Sequence, residues 1–295
     1  MDRQKPILIR YGELALKSEP VRADFERLLV RNIRKSLKAE GIKADVKRIY
    51  GRIIIKATAE KAKETLKRVF GIVSFSFCES ADDNITNIIE KSVEVFRKSK
   101  PRKTETFKVE TNRVGSHPYT SQAVNEKVGA AICKKFHLKV NLSKPGKTLY
   151  TDIRDKTAYI FTEKVPGPGG FPIGSQQGRL VSVVKDEAGL LSTWLLMKRG
   201  AVLIPVFAGL SRNAVKKYSS VLEKWNAGHR IKYHMLKNID YKEINKIIEA
   251  ENALGAVLPE IGKADKKRFK VPVFYPLIGF SEKEIKEKTT NIWTK

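Results

Sequence analysis

Residues 184–189 read V-K-D-E-A-G and lie between two apolar runs, L-V-S-V-V at 180–184 and A-V-L-I-P-V-F at 201–207. Continuous apolar runs of that kind suit parallel strands buried on both faces. Between them Ala188, Leu191, Trp194 and Leu195 recur at helical spacing, and Gly200 ends the helix after Lys198 and Arg199. This pattern predicts a βαβ unit. In open α/β sheets the turn from strand to helix binds phosphate, because free N–H groups point out of the helix start. Here that turn holds Lys185, Asp186, Glu187, Ala188 and Gly189. Asp186 and Glu187 place carboxylates where a pyrophosphate would lie, and such carboxylates can cap the helix themselves. Lys185 offsets part of their charge, and a single glycine gives the backbone little room to wrap an anion. The turn has the position of a nucleotide loop and only a remnant of its residues.

No other catalytic set takes its place. Cys78 and Cys133 are the two cysteines, with no disulfide framework and no metal spacing. Both precede residue 165, so the βαβ region offers no thiolate nucleophile. His117, His137, His229 and His234 show no metal spacing, and neither Ser182 nor Ser192 sits in a nucleophile elbow. No metal or cofactor is expected. The charge points to a partner: 58 Lys and Arg against 32 Asp and Glu leave a formal +26. An excess spread along a folded chain favours a polyanion, and nucleic acid is the commonest. A heat-adapted surface also gains lysine, but it gains glutamate with it, and only the basic side is high here. At 41% apolar the chain can form real cores, and no run approaches a membrane span. The opening M-D-R-Q-K-P-I-L-I-R is too briefly apolar for a signal peptide, so a cytoplasmic location is expected.

The elements that must position these residues fall into modules. Residues 1–80 give the order β-α-β-β-α-β, with a helix over 21–40 and a hairpin around Gly51, which predicts a ferredoxin-like domain. Residues 81–165 alternate helices and strands and close on a hairpin turning at Asp155. Within them F-K-V-E-T-N-R-V-G-S-H at 107–117 places Arg113, Ser116 and His117 in a loop before the helix that starts near Ser121. Loop cations and backbone amides converging there suit phosphate and sugar contacts, and Arg154 and Lys156, beside Asp155, are further candidates. Residues 166–178, rich in glycine and proline, form a structured linker, because Phe171 and Ile173 ask for burial. Residues 179–295 continue the α/β pattern, with a strand expected over 230–236 and a capping box at Ser281 and Glu284. The cluster Lys263, Lys266, Lys267 and Arg268 is a solvated loop or an RNA contact.

The motif G-G-F-P-I-G-S-Q at 169–176, followed by the βαβ unit ending in L-M-K-R-G, resembles the tRNA 4-thiouridine synthetase (tRNA sulfurtransferase) family. R-Y-G-E-L-A-L-K at 10–17 resembles the N-terminal domain of that family, and the 107–117 motif resembles a THUMP domain. P-L-I-G-F-S-E-K-E-I at 276–285 is similar to the family's segment after its last core strand. The resemblance implies a multidomain α/β and α+β protein: ferredoxin-like domain, THUMP domain and a parallel α/β domain of the adenine-nucleotide-hydrolase type. It implies tRNA as partner, docked near the 3′ acceptor end, and it admits a homodimer. The family's chemistry needs an S-G-G-x-D-S loop that grips ATP pyrophosphate, a reactive cysteine in the catalytic domain and a persulfide source. Ungapped alignment from Gly200 puts residues 184–189 on the loop, and none of the six matches. Likeness also fails between 254 and 270, and the chain stops at Lys295 without the rhodanese-like extension of some members. The expectation is a tRNA-binding THUMP protein without adenylation or sulfur transfer. The alternatives are an active ATP-dependent tRNA sulfurtransferase, holding ATP or AMP at Lys185 and the amides of residues 187–189, and a non-enzymatic adaptor for another tRNA-modifying enzyme.

Overall fold

The computed structural model describes residues 5–12, 18–57, 59–260 and 269–294. The first elements are β1 (Pro6–Arg10), α1 (Glu19–Ala39), β2 (Asp45–Ile49), β3 (Arg52–Lys56), α2 (Ala59–Leu66) and β4 (Ser74–Phe77), the ferredoxin-like order. There follow β5 (Glu79–Asp82), α3 (Ile85–Lys98), β6 (Phe107–Val114), α4 (Ser121–Phe136), β7 (Lys147–Arg154), β8 (Thr157–Phe161) and β9 (Val165–Pro166). The chain continues through β10 (Arg179–Val184), α5 (Glu187–Lys198), β11 (Val202–Ala208), α6 (Arg212–Trp225) and β12 (His234–Leu236). It closes with α7 (Tyr241–Ala250), β13 (Gly255–Val257), β14 (Val273–Phe274) and α8 (Glu282–Thr294). The fold is multidomain α/β. Its residues divide into two compact units that interleave in sequence, one of residues 1–10, 44–59 and 74–166, the other of 11–43, 60–73 and 167–295.

The first unit holds two sheets. One has the order β2-β3-β1-β4-β9, with β1 antiparallel to β3 and β4. The other has the order β5-β8-β7-β6, with β6 and β7 parallel. Helices α3 and α4 begin at side-chain caps, Asn84 accepting from the Thr86 amide and Thr120 from the Ala123 amide. Their apolar faces, including Ile88, Phe96, Val124 and Ile132, share a core with Phe107, Leu149 and Ile153 of the second sheet. A buried charge network crosses from β3 to β7. Arg52 reaches Asp152 Oδ2 through Nε at 3.1 Å and Nη2 at 3.0 Å. Arg154 Nε lies 3.1 Å from Asp152 Oδ1, an ion pair without hydrogen-bond alignment.

The second unit is built on the sheet β12-β11-β10-β13-β14, parallel throughout. Its core gathers Val184, Leu190, Phe207, Leu222 and Leu277, with Phe70 stacked on Trp225 at 5.2 Å and edge-on to Trp194 at 5.4 Å. The glycine- and proline-rich segment is ordered by backbone bonds at both ends. Gly71 N donates to Gly169 O and Gly169 N to Ile72 O, while Phe171 N donates to Lys198 O and Gly174 N to Gly200 O. The buried Asn32 of α1 donates to Ile173 O at 3.0 Å.

Two expectations shift. The strand expected over 230–236 is confined to His234–Leu236, and Val165–Pro166 adds an unexpected edge strand to β4. The Asp152 network generates a prediction. Removing the carboxylate takes the counter-charge from Arg52 and the buried Arg154, so Asp152→Ala should cost about 3–5 kcal/mol of stability. Urea unfolding checks this, with the exposed Asp45→Ala as a control that should change little; equal midpoints for the two variants would refute a structural role for Asp152.

Candidate nucleic-acid interface and the strand–helix turn

The end of β6, the loop that follows it and the turn between β7 and β8 form one cluster; Arg113, expected in the loop, is on β6 itself, and only Ser116 and His117 are in the loop. Arg113 Nη1 donates to Gly115 O at 3.0 Å and lies 3.2 Å from His117 Nδ1. Because Arg113 can only donate, Nδ1 accepts and the ring proton sits on Nε2. That nitrogen donates to the Asp155 carbonyl at 2.8 Å. The His117 side chain is 1% exposed. It therefore braces the loop against the β7–β8 turn and presents nothing to a ligand itself. Ser116 and Lys156 are exposed on the two segments it joins, and Arg113 is half-buried beside them. Tyr119, which donates to Asp83 O and lies against the His117 ring, adds a support that no sequence motif marked.

Arg154 is a correction. It stands next to Asp155 in sequence, yet its side chain is 3% exposed, paired with Asp152 and donating to Asn112 Oδ1 at 2.6 Å. Its guanidinium belongs to the interior, and a phosphate could reach it only by breaking the Asp152 network.

The turn after β10 lies where open sheets place ligands. With the order β12-β11-β10-β13-β14, connections leave β10 toward β11 on one side and reach β13 on the other, so the switch point falls between the carboxyl ends of β10 and β13. Lys185, Asp186 and Glu187 are exposed there, Ala188 is half-buried and Gly189 is buried. Asp186 is the N-cap of α5, and its carboxylate accepts from the Gly189 amide at 2.9 Å. A Cβ on Gly189 would lie 2.7 Å from Val184 Cα and 2.8 Å from Val183 O. The glycine is thus required by close helix–strand packing, whether or not phosphate binds. Behind it Thr193 Oγ1 donates to Gly189 O at 2.8 Å. The Tyr218 phenol of α6 is pushed up by burial first and then by Glu187 and Asp186, which marks the turn as acidic. The expected basic cluster Lys263, Lys266, Lys267 and Arg268, like residues 13–17 of the opening motif, lies outside the described residues.

Cys78 is 1% exposed, and burial pushes its thiol up, so it stays protonated and is no nucleophile. Cys133 is half-buried on α4. Among the described residues no group of three or more His, Cys, Asp or Glu is placed to hold a metal, and no helix is long and apolar enough to cross a membrane.

The fold is shared with known proteins. Residues 6–76 match the model of the ThiI ferredoxin-like domain, and residues 82–163 match that of the THUMP domain. A probable tRNA sulfurtransferase of Saccharolobus islandicus (strain M.14.25 / Kamchatka #1) is 32% identical, over 98% of this chain and 86% of its own length. The chain belongs to the tRNA sulfurtransferase family. Another probable tRNA sulfurtransferase, from Methanosarcina mazei, is 28% identical over 98% of this chain and 82% of its own. The crystal structure of PH1313 from Pyrococcus horikoshii Ot3 superposes with a TM-score of 0.85 at 30% identity, covering 98% of this chain and 99% of that one. A 4-thiouridine synthetase in complex with RNA and bound ATP gives a TM-score of 0.82 at 25% identity, covering 99% of this chain and 85% of that one.

Within this family the α5 start can be tested for what it does structurally. Asp186→Ala removes a helix cap and should cost about 1 kcal/mol. Gly189→Ala drives a Cβ into backbone and should cost about 1–3 kcal/mol. Thermal unfolding of the two variants checks this, and a silent Gly189→Ala would remove the packing explanation for that residue.

Proposed function

We propose that this protein binds tRNA through its THUMP region and does not adenylate it. Membership of the tRNA sulfurtransferase family and the THUMP match support the RNA partner. The formal charge of +26 supports a polyanion as ligand. Arg113, Ser116 and Lys156 are the residues we assign to phosphate and sugar contacts, with His117 holding their two segments together. Modules of residues 1–80, 81–165 and 179–295, joined by 166–178, and a cytoplasmic setting complete this reading. The observation that carries the loss of ATP chemistry is the Asp186 carboxylate on the Gly189 amide. An anion that needs that amide must displace a negative charge already bonded to it. The absence of any cysteine after Cys133 leaves the α/β region with no thiolate to carry sulfur.

A second reading is favoured by the comparisons: an active, ATP-dependent tRNA uridine thiolation enzyme. The named relatives are probable tRNA sulfurtransferases, and a similar structure holds RNA and ATP. On that reading Lys185 and the amides of residues 187–189 hold the nucleotide, with Asp186 swung off its cap. No metal or cofactor is needed for the first reading, and ATP is the ligand that separates the two.

Calorimetry with ATP and with bulk tRNA decides between them. The expected result is tRNA binding that weakens steeply with salt and no ATP heat. Arg113→Ala should weaken tRNA binding and lower the salt slope by about one phosphate contact. Micromolar ATP binding that disappears in Lys185→Ala would show that the turn still holds nucleotide and overturn the argument against adenylation; release of pyrophosphate from ATP in the presence of tRNA would then mark the enzyme.

A further inference from the structure

A second concentration of positive charge lies in the same unit as the β10–α5 turn, at the other end of the strands. A cavity of about 600 Å³ opens beside the amino ends of β10 and β11, where Arg179 and Val202 begin them. At about 3.3 Å per residue, β10 separates its two ends by about 17 Å, and the cavity shares no lining residue with the turn. Six basic side chains line it: Arg31 and Lys35 from successive turns of α1, Arg179, and His229, Arg230 and Lys232 from the loop after α6. No acidic side chain is among its lining residues. Among the described residues the carboxylate bonded to this set is the buried Glu251, 2.7 Å from Lys232 Nζ and 4.0 Å from Arg179 Nη1. Among the described residues Arg31 and Arg230 have no acidic partner within 4 Å.

The wall is prearranged. Asn226 Nδ2 donates to His229 O at 3.2 Å and reaches Arg230 O at 3.4 Å, which fixes the loop. Gly228, at φ +73°, passes so close to α1 that a Cβ would lie 2.5 Å from Lys35 O. Lys35 Nζ then donates to His229 Nε2 at 3.1 Å. Burial first, and then Lys35 and Arg31, lower the His229 pKa. Burial is the larger cause, and the two cations act in the same direction, as they do where positive charges gather without an anion between them. The floor is apolar, with Ile173 and Ile231 among its residues, which leaves room for a nucleoside beside the charged wall.

We propose that this cavity is a binding site for a nucleotide phosphate, separate from the β10–α5 turn and from the THUMP loop cluster. Two sources have that chemistry, a free mononucleotide and the terminal phosphate of an RNA strand. The site extends the tRNA-binding reading without depending on it.

The test is calorimetry on the full chain at low salt, with AMP and with a short single-stranded RNA carrying either a 5′-phosphate or a 5′-hydroxyl. The variants are Arg31→Ala/Arg230→Ala and the milder Arg230→Gln, each first checked for an unchanged thermal midpoint. If the double variant melts early, Arg230→Gln carries the comparison. A free nucleotide as occupant predicts AMP binding that weakens about tenfold or more in the double variant, as loss of about 1.4 kcal/mol or more would give. An RNA terminus predicts the same loss for the 5′-phosphorylated strand alone. The proposal is overturned if neither probe binds, if both bind the variants as tightly as the wild type, or if AMP binding is lost in Lys185→Ala and kept in the double variant. Full-length tRNA separates the two readings. Unchanged tRNA affinity in the variants, with neither AMP nor the 5′-phosphorylated strand bound, removes the cavity and leaves the THUMP reading standing. Wild-type protein that binds AMP here and not tRNA does the reverse.

Discussion

The second unit depends on an ordered strap, residues 167–176, whose backbone is bonded on both sides. Its first half is tied to Gly71 and Ile72, just after α2, and its second half to Lys198 and Gly200, at the end of α5. Asn32 of α1 adds a side-chain bond to Ile173 O. Buried backbone groups must be paired, and here the partners come from segments more than a hundred residues apart. The strap thereby brings α1 and the Phe70 region into the same compact unit as the parallel sheet. Phe70 can then meet Trp194 and Trp225, and α1 can supply Arg31 and Lys35 to a cavity at the amino ends of β10 and β11. Without those bonds a segment so rich in glycine would stay a flexible chain.

Much of this architecture was legible from local chemistry. The apolar runs around residues 184–189 form adjacent parallel strands, with Val184 opposite Phe207. Ser281 and Glu284 make the reciprocal capping bonds their spacing predicts, Ser281 N to Glu284 at 2.9 Å and Glu284 N to Ser281 Oγ at 3.3 Å. The failures have equally local causes. Residues 230–233 have a strand's composition, but side chains take their backbone groups. Glu223 accepts from Ile231 N at 3.2 Å, and Asn226 binds the carbonyls of His229 and Arg230. A ladder cannot use groups already engaged. The pairing of β9 with β4 rests on Val165 and Pro166, too short a stretch to carry a period.

Arg154 shows how a site residue is misread. A cation beside a hairpin turn suggests an exposed phosphate contact, and Lys156 on the other side of Asp155 is indeed exposed. On a strand, however, residues two apart share a face, so Asp152 and Arg154 point the same way. Both are buried, at 3% and 4% exposure, with Arg52 of β3 as the third charge. The D-x-R spacing within β7 was the available signal, and it favoured an internal pair over a surface contact. His117 is the converse case: its loop position was read correctly, but its bonds make it a brace.

The β10–α5 turn separates what a fold requires from what a reaction requires. Gly189 would be called a nucleotide-loop residue by position, yet Val183 and Val184 leave no space for a side chain there. That constraint holds for any helix packed so closely on its strand, with or without a ligand. Asp186 answers a second demand of the fold, because a helix start leaves amides that need acceptors. The Asp186 carboxylate supplies that acceptor from within the chain, 2.9 Å from the Gly189 amide. Close packing of the helix on its strand and an acceptor for its first amides are therefore enough to account for Gly189 and Asp186 at this turn.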